Sequence, residues 1–332
     1  MSTSKYNILD LFSGAGGLSL GFSQEDEYDI KVSIDYDDKL SLTYIENFPS
    51  VKHLSRDILS FSDKEIRELN KKYNFEIIIG GPPCQGFSLA GNIGRTEKKD
   101  KRNDLFIGYL KFVRIIKPSV FIMENVARLE THNKGKTLKT IIDLFKNEGY
   151  FINYKVLNAK DYGVAQNRNR IFIVGTLKPG FEFPEKKQEV YTIKDVIGDL
   201  PVLSSGEKSK FPNHNAMNHT KQMLNKMSFI KDGGDRFDIP KEIRPKSGDV
   251  RKYMKYKSDE PSICITGDMR KVFHYNQNRA LTNRELARIQ SFPDDFIFYG
   301  TSISIQQQIG NAVPPKLSNA LAKKVKEFLL DV

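Results

Sequence analysis

One cysteine lies where a reactive thiol could be held in place. Cys84 follows an apolar run that predicts a strand, within the loop Gly81-Pro82-Pro83-Cys84-Gln85-Gly86-Phe87-Ser88. The two prolines before the thiol restrict the backbone of this loop. A cysteine attacks as the thiolate, so catalysis here needs surroundings that lower the pKa of the thiol. The alternative is an inert core cysteine, which is the commoner fate of a free thiol.

A glycine-rich turn near the N-terminus is the second chemical feature. The segment Asp10–Phe22 reads as a strand, a turn with three glycines and a helix start. Glycines let a ligand approach the backbone, and a helix start offers free N–H groups. The dinucleotide pattern GxGxxG is absent because Ser19 stands at the third glycine position. We interpret the turn as nucleoside-binding, with Asp35 placed to accept hydrogen bonds from ribose hydroxyls and Tyr36 to stack on a base. Tight helix–strand packing alone is the other explanation of the glycines.

These residues need strands that end at a common edge of a sheet. Up to about residue 180, short β-branched runs alternate with helical patterns, which predicts an α/β fold with a mainly parallel sheet. The predicted strands are Asn7–Phe12, Ile30–Asp35, Phe75–Gly80, Val120–Glu124, Tyr150–Leu157 and Arg170–Thr176. The predicted helices between them are Asp38–Asn47, Asp63–Tyr73, Asp104–Ile116 and Thr137–Glu148.

The pattern changes after Pro179. Residues 181–278 are rich in Lys, Asn, Ser, Gly and Pro and have little periodicity, which predicts a smaller, irregular domain. The run Lys241–Lys257 combines seven basic residues with two tyrosines, a composition suited to phosphate contacts, although a solvated loop face explains it too. Helical patterning returns at Leu281, with Thr282 as a capping residue, and Pro314–Leu330 predicts a closing helix.

Composition narrows the class of protein. The chain has 332 residues, 39% of them hydrophobic, and a net charge of +11, which favours a polyanionic partner. Two cysteines are too few for a disulfide framework, and no apolar run is long enough to span a bilayer. The N-terminus lacks a signal-peptide pattern, so we expect a cytoplasmic protein. The histidines are scattered, so we expect no metal site.

Five sequence blocks stand out along the chain: Asp10–Phe22, Gly81–Ser88, Met123–Val126, Gln166–Arg170, and Arg279–Pro293 continuing through Gln308–Pro315. Together they resemble a cytosine-5 DNA methyltransferase of the bacterial restriction-modification type. They occur in the family order, and residues 181–278 fall where that family has its variable target-recognition region. The resemblance implies a Rossmann-like S-adenosylmethionine-dependent catalytic domain, residues 1–180 plus 279–332, and a target-recognition domain, residues 181–278.

The resemblance assigns catalytic roles to four residues. Cys84 adds to carbon 6 of cytosine, which turns the ring into an enamine whose carbon 5 attacks an electrophilic methyl group. Glu124 meets ring nitrogen 3, for which its pKa must rise above about 4.3. Arg168 and Arg170 bring rigid donor forks to the cytosine oxygen and orient Glu124 and Cys84, with Arg170 the better candidate for base contact. Without the resemblance, Glu124 could cap a turn and the arginines could form a surface ion pair.

The same resemblance implies S-adenosylmethionine as methyl donor, S-adenosylhomocysteine as product, and no metal. Asp35 stands where the family more often has Glu, so its ribose contact has a shorter reach. The positions that match the family's cofactor site are Phe12, Gly14, Ala15, Gly16, Gly17, Asp35, Tyr36, Asp57, Ile58, Pro82, Leu105, Asn311 and Val313.

Double-stranded DNA is the implied substrate. A stacked base cannot present both faces to the thiol and the methyl donor, so the target cytosine must be flipped out. The basic loop Arg95–Arg102 is expected to close over the DNA backbone, while the second domain reads bases in the major groove. We expect a monomer, with a restriction endonuclease that acts on the same site and need not contact it.

Three other functions share some of these sequence features. A tRNA cytosine methyltransferase would share the blocks, but Gly86 after Cys84-Gln85 and the lack of a Cys-Phe-Thr segment near Arg288–Phe292 favour DNA. A catalytically inactive DNA-binding relative would not need Cys84 and Glu124. A nicotinamide oxidoreductase is disfavoured by the failed GxGxxG pattern.

Overall fold

The computed structural model describes residues 5–83, 101–245 and 252–330 and contains a mixed seven-stranded sheet. Cys84 and most of the predicted basic loop lie outside the described residues. The strand order is β3-β2-β1-β4-β5-β7-β6. The strands are β1 (Tyr6–Leu11), β2 (Tyr28–Asp35), β3 (Lys52–Ser55), β4 (Ile77–Gly80), β5 (Val120–Val126), β6 (Phe151–Asn158) and β7 (Asn169–Thr176).

Strand direction brings the chemical residues to one edge of this sheet. Strands β1 to β5 pair in parallel, so the segments after β1, β2, β4 and β5 leave the sheet at the same edge. Strand β7 is antiparallel to both β5 and β6, and Val126 at the end of β5 pairs with Arg170 at the start of β7. The reversed strand therefore delivers Arg170 to the edge where Glu124 lies.

Helices pack on this sheet where the sequence patterns predicted them. The fully apolar strand Ile77–Gly80 is buried along its whole length, as expected for a central strand. Helix α3 begins with a capping box in which Ser62 and Glu65 bond to each other's backbone N–H groups. The helices of this part are α1 (Gly17–Ser23), α2 (Asp38–Asn47), α3 (Asp63–Tyr73), α4 (Lys101–Ile116) and α5 (Lys136–Asn147).

The chain divides into two compact units. The first contains Met1–Asn158, Asn169–Glu185 and Ser318–Val332, and the second contains Ala159–Arg168 and Lys186–Leu317. Apart from the short excursion Ala159–Arg168, the chain changes from the first unit to the second between Glu185 and Lys186, a few residues beyond the boundary that the sequence predicts near residue 180. Residues 279–317 belong to the second compact unit. The sequence predicts that they belong to the catalytic domain, and this functional division stays a prediction.

The second unit has little regular structure and several buried polar groups. Arg279 and Glu285 are both fully buried and form a two-pronged ion pair, with Nη1–Oε2 and Nη2–Oε1 distances of 2.8 and 2.6 Å. Thr282 caps the next helix in a capping box with Glu285, as the sequence predicted. The elements are α6 (Ile193–Ile197), α7 (Lys221–Phe229), β8 (Met254–Lys255), β9 (Val272–Phe273), α8 (Asn283–Ile289), α9 (Ser302–Asn311) and the start of α10 (Pro315–Leu330).

Within the described ranges, no helix is both long and apolar enough to cross a bilayer. In the same ranges, no group of three or more His, Cys, Asp or Glu side chains is arranged to hold a metal ion.

Candidate active site

The glycine-rich turn after β1 is tightly built on one side and open on the other. Phe12, Gly14 and Gly16 all have positive φ angles, of 59°, 51° and 88°. A Cβ on Gly16 would lie 2.5 Å from the Phe48 ring, so packing as well as the backbone requires glycine there. A Cβ on Gly14 would meet nothing within 4 Å. The open space over Gly14 is where a ligand could approach the main chain.

Asp35 is fixed to this turn by main-chain donors. Its Oδ2 accepts a hydrogen bond from the N–H of Gly14 at 2.9 Å, and its Oδ1 accepts one from the N–H of Asp37 at 3.1 Å. Burial raises the pKa of Asp35, and these two bonds oppose the rise. Tyr36 beside it is 73% exposed. An oriented carboxyl group and an accessible aromatic face suit a nucleoside, so the residues present fit S-adenosylmethionine.

Three further cofactor candidates of the first unit lie just after β3 and on α4. Asp57 accepts a hydrogen bond from the N–H of Leu59 at 2.9 Å and so caps a short turn of helix, while Ile58 is buried. Leu105 on α4 is partly buried against the main core. Asn311 and Val313 belong to the second unit, where Asn311 ends α9 and Val313 is buried.

The loop that leads to the predicted nucleophile is held close to the sheet. A Cβ on Gly80 would lie 2.3 Å from the carbonyl oxygen of Leu11, so only glycine lets β4 pass β1 there. The buried Pro82 accepts a hydrogen bond through its carbonyl from Nδ2 of Asn125 at 2.9 Å. This bond ties the end of β5 to the loop two residues before Cys84.

Glu124 and Arg170 form a partly buried ion pair beside this loop. Nε of Arg170 lies 2.9 Å from Oε1 of Glu124, and the two side chains are 13% and 12% exposed. A Cβ on Gly81 would lie 3.0 Å from the other oxygen, Oε2. One carboxyl oxygen thus contacts the guanidinium group while the other faces the backbone of the Cys84 loop. The structure brings together two of the predicted catalytic residues.

Arg168 has different surroundings although it is only two residues away. It is fully buried in the second unit, and its Nη2 donates to the carbonyl oxygens of Gly310 and Ala312 at 2.6 and 3.1 Å. Its Nη1 donates to the carbonyl of Ile265 at 3.1 Å and contacts the sulfur of Cys264 at 3.3 Å. These contacts favour a positioning role. That Arg168 orients Glu124 and Cys84 stays a prediction.

A buried carboxyl group, to which the sequence patterns assign no role, lies under the turn. Asp10 is fully buried on β1, and its Oδ2 accepts a hydrogen bond from Ser19, whose Oγ also contacts the hydroxyl of Tyr44 at 2.6 Å. Burial raises the pKa of Asp10 to about 8. The sequence signal for a buried carboxyl group here is an acidic residue within an otherwise apolar strand. Through its hydrogen bond to Ser19, Asp10 holds α1 against β1.

Comparison with known protein families gives one match along nearly the whole chain. The family model described as C-5 cytosine-specific DNA methylase matches residues 6–327. That range includes the turn, the Cys84 loop, Glu124 and both arginines.

Individual relatives agree with this match. The Type II methyltransferase M1.HphI of Haemophilus parahaemolyticus is 53% identical over 320 residues, which cover 96% of this chain and 86% of the relative. The Type II methyltransferase M.DdeI of Desulfomicrobium norvegicum is 34% identical, over 98% of this chain and 90% of the relative.

Solved structures show the same fold. A protein assigned as a DNA modification methyltransferase encoded within an E. coli prophage has a TM-score of 0.81 at 24% identity, with 98% of this chain and 100% of that chain covered. The Dnmt2 methyltransferase of S. pombe has a TM-score of 0.66 at 18% identity, covering 98% of this chain and 99% of its own.

Proposed function

The chain belongs to the C-5 cytosine-specific DNA methylase family, and from that premise we propose which residues carry out its reaction. It is a DNA cytosine-5 methyltransferase, and its relatives are Type II enzymes of restriction-modification systems. The residue roles that follow are proposals.

Cys84 is the proposed nucleophile. Its thiolate adds to carbon 6 of cytosine, and the electron pair of the 5,6 double bond becomes available at carbon 5 for attack on the methyl group. When the proton on carbon 5 then leaves to a base, its bonding electrons reform the 5,6 double bond and expel the thiolate. The enzyme is returned to its starting state.

Glu124 is proposed to carry the proton that ring nitrogen 3 needs while the thiolate adds. The observation that carries this proposal is the position of its carboxyl group, with Oε1 2.9 Å from Arg170 and Oε2 against Gly81 in the Cys84 loop. A protonated carboxyl group can donate to nitrogen 3 and take the proton back when the thiolate leaves. Arg170 is proposed to hold Glu124 in place and to donate to the cytosine oxygen.

The turn Gly14–Gly17, with Asp35 and Tyr36, is proposed to hold S-adenosylmethionine. When bound, this cosubstrate supplies a methyl group made electrophilic by its positive sulfur. Asp35 is oriented by the N–H groups of Gly14 and Asp37, so its oxygens can accept from ribose hydroxyls. The exposed ring of Tyr36 can stack on the adenine.

Flipped-out cytosine in duplex DNA is the proposed substrate. The net charge of +11 favours phosphate contacts, and the second unit contains most of the region expected to read bases. We propose a monomer that acts in the cytoplasm, where bacterial DNA lies, as the modification enzyme beside an endonuclease for the same site.

One experiment tests this function. The protein is incubated with plasmid DNA, or separately with tRNA, together with S-adenosylmethionine labelled in its methyl group, and modified cytosines are mapped by bisulfite sequencing. We expect methylation at one short sequence in the plasmid, none in tRNA, and none with Cys84→Ala. Label in tRNA alone, or equal transfer by Cys84→Ala, would contradict the proposal.

A further inference from the structure

A chain of buried polar groups runs beneath the glycine-rich turn of the first unit. It starts at the carboxyl group of Asp10 on β1 and passes through Ser19 on α1 to Tyr44 on α2. Oγ of Ser19 lies 2.6 Å from Oδ2 of Asp10 and 2.6 Å from the hydroxyl oxygen of Tyr44. All three residues are fully buried. A buried hydroxyl group destabilises the fold unless it is hydrogen-bonded, so removing one member leaves its neighbours short of a partner.

Tyr44 continues the chain on its other side. Its hydroxyl group is also hydrogen-bonded to Ser33 on β2. Oγ of Ser33 lies 2.8 Å from Nδ1 of His53 on β3, and Nε2 of His53 lies 2.8 Å from Oγ of Ser41 on α2. The hydroxyl group of Tyr44 therefore joins α1 to β2 in the interior of the first unit.

The ring of Tyr44 supports the same turn by packing. A Cβ on Gly16 would lie 3.1 Å from Cδ2 and Cε2 of Tyr44, and 2.5 Å from the ring of Phe48. The ring centroids of Tyr44 and Phe48 are 4.6 Å apart. The two rings thus lie directly behind the backbone of the turn. Ring and hydroxyl group act on different neighbours, so a substitution can remove one and keep the other.

The two halves of the proposed cosubstrate site are linked at this place. One half is the turn Gly14–Gly17, which leads into α1 and Ser19, and the other is Asp35, two residues after Ser33 at the end of β2. On the ligand side, Oδ2 of Asp35 accepts a hydrogen bond from the N–H of Gly14 at 2.9 Å. On the interior side, Tyr44 bonds to both Ser19 and Ser33. The turn and Asp35 are therefore connected at two points.

We propose that Tyr44 is a positioning residue for the cosubstrate, whose hydroxyl group fixes the glycine-rich turn relative to Asp35 so that both can hold S-adenosylmethionine. Tyr44 acts through these two elements, because it lies buried beneath them. The inference rests on the proposed function, since it concerns cosubstrate binding at the proposed site. A site that is already ordered binds more tightly because less freedom is lost on binding. The effect should therefore appear in affinity and not in the chemical step.

The test removes one hydroxyl group from each of two buried tyrosines. Tyr44→Phe keeps the ring behind Gly16. Tyr109→Phe is the matched control, because Tyr109 is also fully buried in the first unit and its hydroxyl group donates to the carbonyl of Ile122 at 2.9 Å. S-adenosylhomocysteine is titrated into the whole protein without DNA by isothermal titration calorimetry. We expect Tyr44→Phe to raise Kd about tenfold and Tyr109→Phe to leave it within about twofold.

The chemical step provides a second readout. In Tyr44→Phe, kcat at saturating S-adenosylmethionine should stay within about twofold of wild type, because the hydroxyl group acts on binding and not on the reacting atoms. A wild-type Kd in Tyr44→Phe, or an equal rise of Kd in both tyrosine variants, would overturn the inference.

A double-mutant cycle tests the hydrogen bond itself. Ser19→Ala removes the bond to Tyr44 from the other side. If both residues act through this bond, the double variant should bind S-adenosylhomocysteine within about threefold of the weaker-binding single variant. Losses that multiply in the double variant would overturn the inference while the proposed function stands. If wild type binds no S-adenosylhomocysteine, the proposed cosubstrate site fails, and the inference fails with it.

Discussion

The ion pair Glu124–Arg170 in the first unit and the guanidinium group of Arg168 in the second unit differ in how far they are exposed to solvent. The pair keeps about an eighth of each side chain accessible and leaves Oε2 of Glu124 facing the Cys84 loop. Arg168 is fully buried, and its guanidinium group donates to three main-chain carbonyls from distant parts of the sequence. The accessible pair can meet a substrate, whereas the enclosed guanidinium group holds segments of the second unit together.

The comparison extends to the buried pair Arg279–Glu285. Removing either partner would leave an uncompensated charge in the interior. This destabilises the folded protein more than burying the intact pair does. In the second unit, buried arginines connect irregular segments through hydrogen bonds and ion pairs. Substitutions should therefore lower catalysis in the first region and stability in the second.

The largest effect is expected from Glu124→Gln. The amide keeps the shape but cannot pass a proton to ring nitrogen 3, so kcat should fall by about 10²–10⁴-fold. The KM for S-adenosylmethionine should stay within about twofold, since Glu124 is not among the proposed cofactor residues. Steady-state kinetics with labelled cosubstrate measures both, and the exposed Glu130→Gln is the control. A wild-type kcat would remove Glu124 from the mechanism.

A matched pair of lysine substitutions tests the comparison directly. In Arg170→Lys the charge remains but the fork that fixes Glu124 is lost, so kcat should fall about ten- to hundredfold with little change in urea stability.

In Arg168→Lys one ammonium group must replace a guanidinium that reaches Ile265, Gly310 and Ala312. The free energy of unfolding should drop by roughly 3 kcal/mol, with kcat per folded molecule nearly kept. For both variants, urea titrations measure the free energy of unfolding, and rates normalised to the concentration of active sites measure kcat. A stable Arg168→Lys enzyme with a large kcat defect would show that Arg168 acts in catalysis.

The smallest expected effect is a loss of stability in acid. Burial lowers the pKa of His274 to about 4, with Glu285 opposing the shift and Arg279 supporting it. The unfolded chain, with a histidine pKa near 6.5, then binds more protons than the folded one between about pH 6.5 and 4. Unfolding free energy should therefore fall by on the order of 2 kcal/mol from pH 7 to pH 4.5. In His274→Asn, urea titrations should show a much weaker dependence of the unfolding free energy on pH. An unchanged pH dependence would contradict the role of His274.

Most elements were predictable from sequence because their signals are local. Alternating or fully apolar runs predicted six of the seven sheet strands, and Thr282 with Glu285 predicted the start of α8. Strand β3 was missed because Lys52–Ser55 is short and polar, with no residue buried. The reversed direction of β7 depends on long-range pairing, which no local pattern reports.

The site was predictable only in part for the same reason. Glu124 and Arg170 meet because both lie at strand ends, which the sequence predicted. The partners of Arg168 lie 97 and 142 residues further along the chain, so the local motif gave no sign that Arg168 is buried. Tyr44 lies on a helix that the sequence predicted, but its contact with Ser19 on α1 depends on packing between elements.

The most direct test of the central claim is covalent trapping at Cys84. A duplex with 5-fluorocytosine at the mapped target is incubated with the enzyme and S-adenosylmethionine. Fluorine cannot leave carbon 5 as a proton does, so the thiolate cannot be expelled. We predict a denaturation-resistant complex that peptide mass spectrometry locates at Cys84 and that Cys84→Ala does not form. Enzyme that methylates normal DNA but forms no such complex, or forms it through Cys264, would contradict the account.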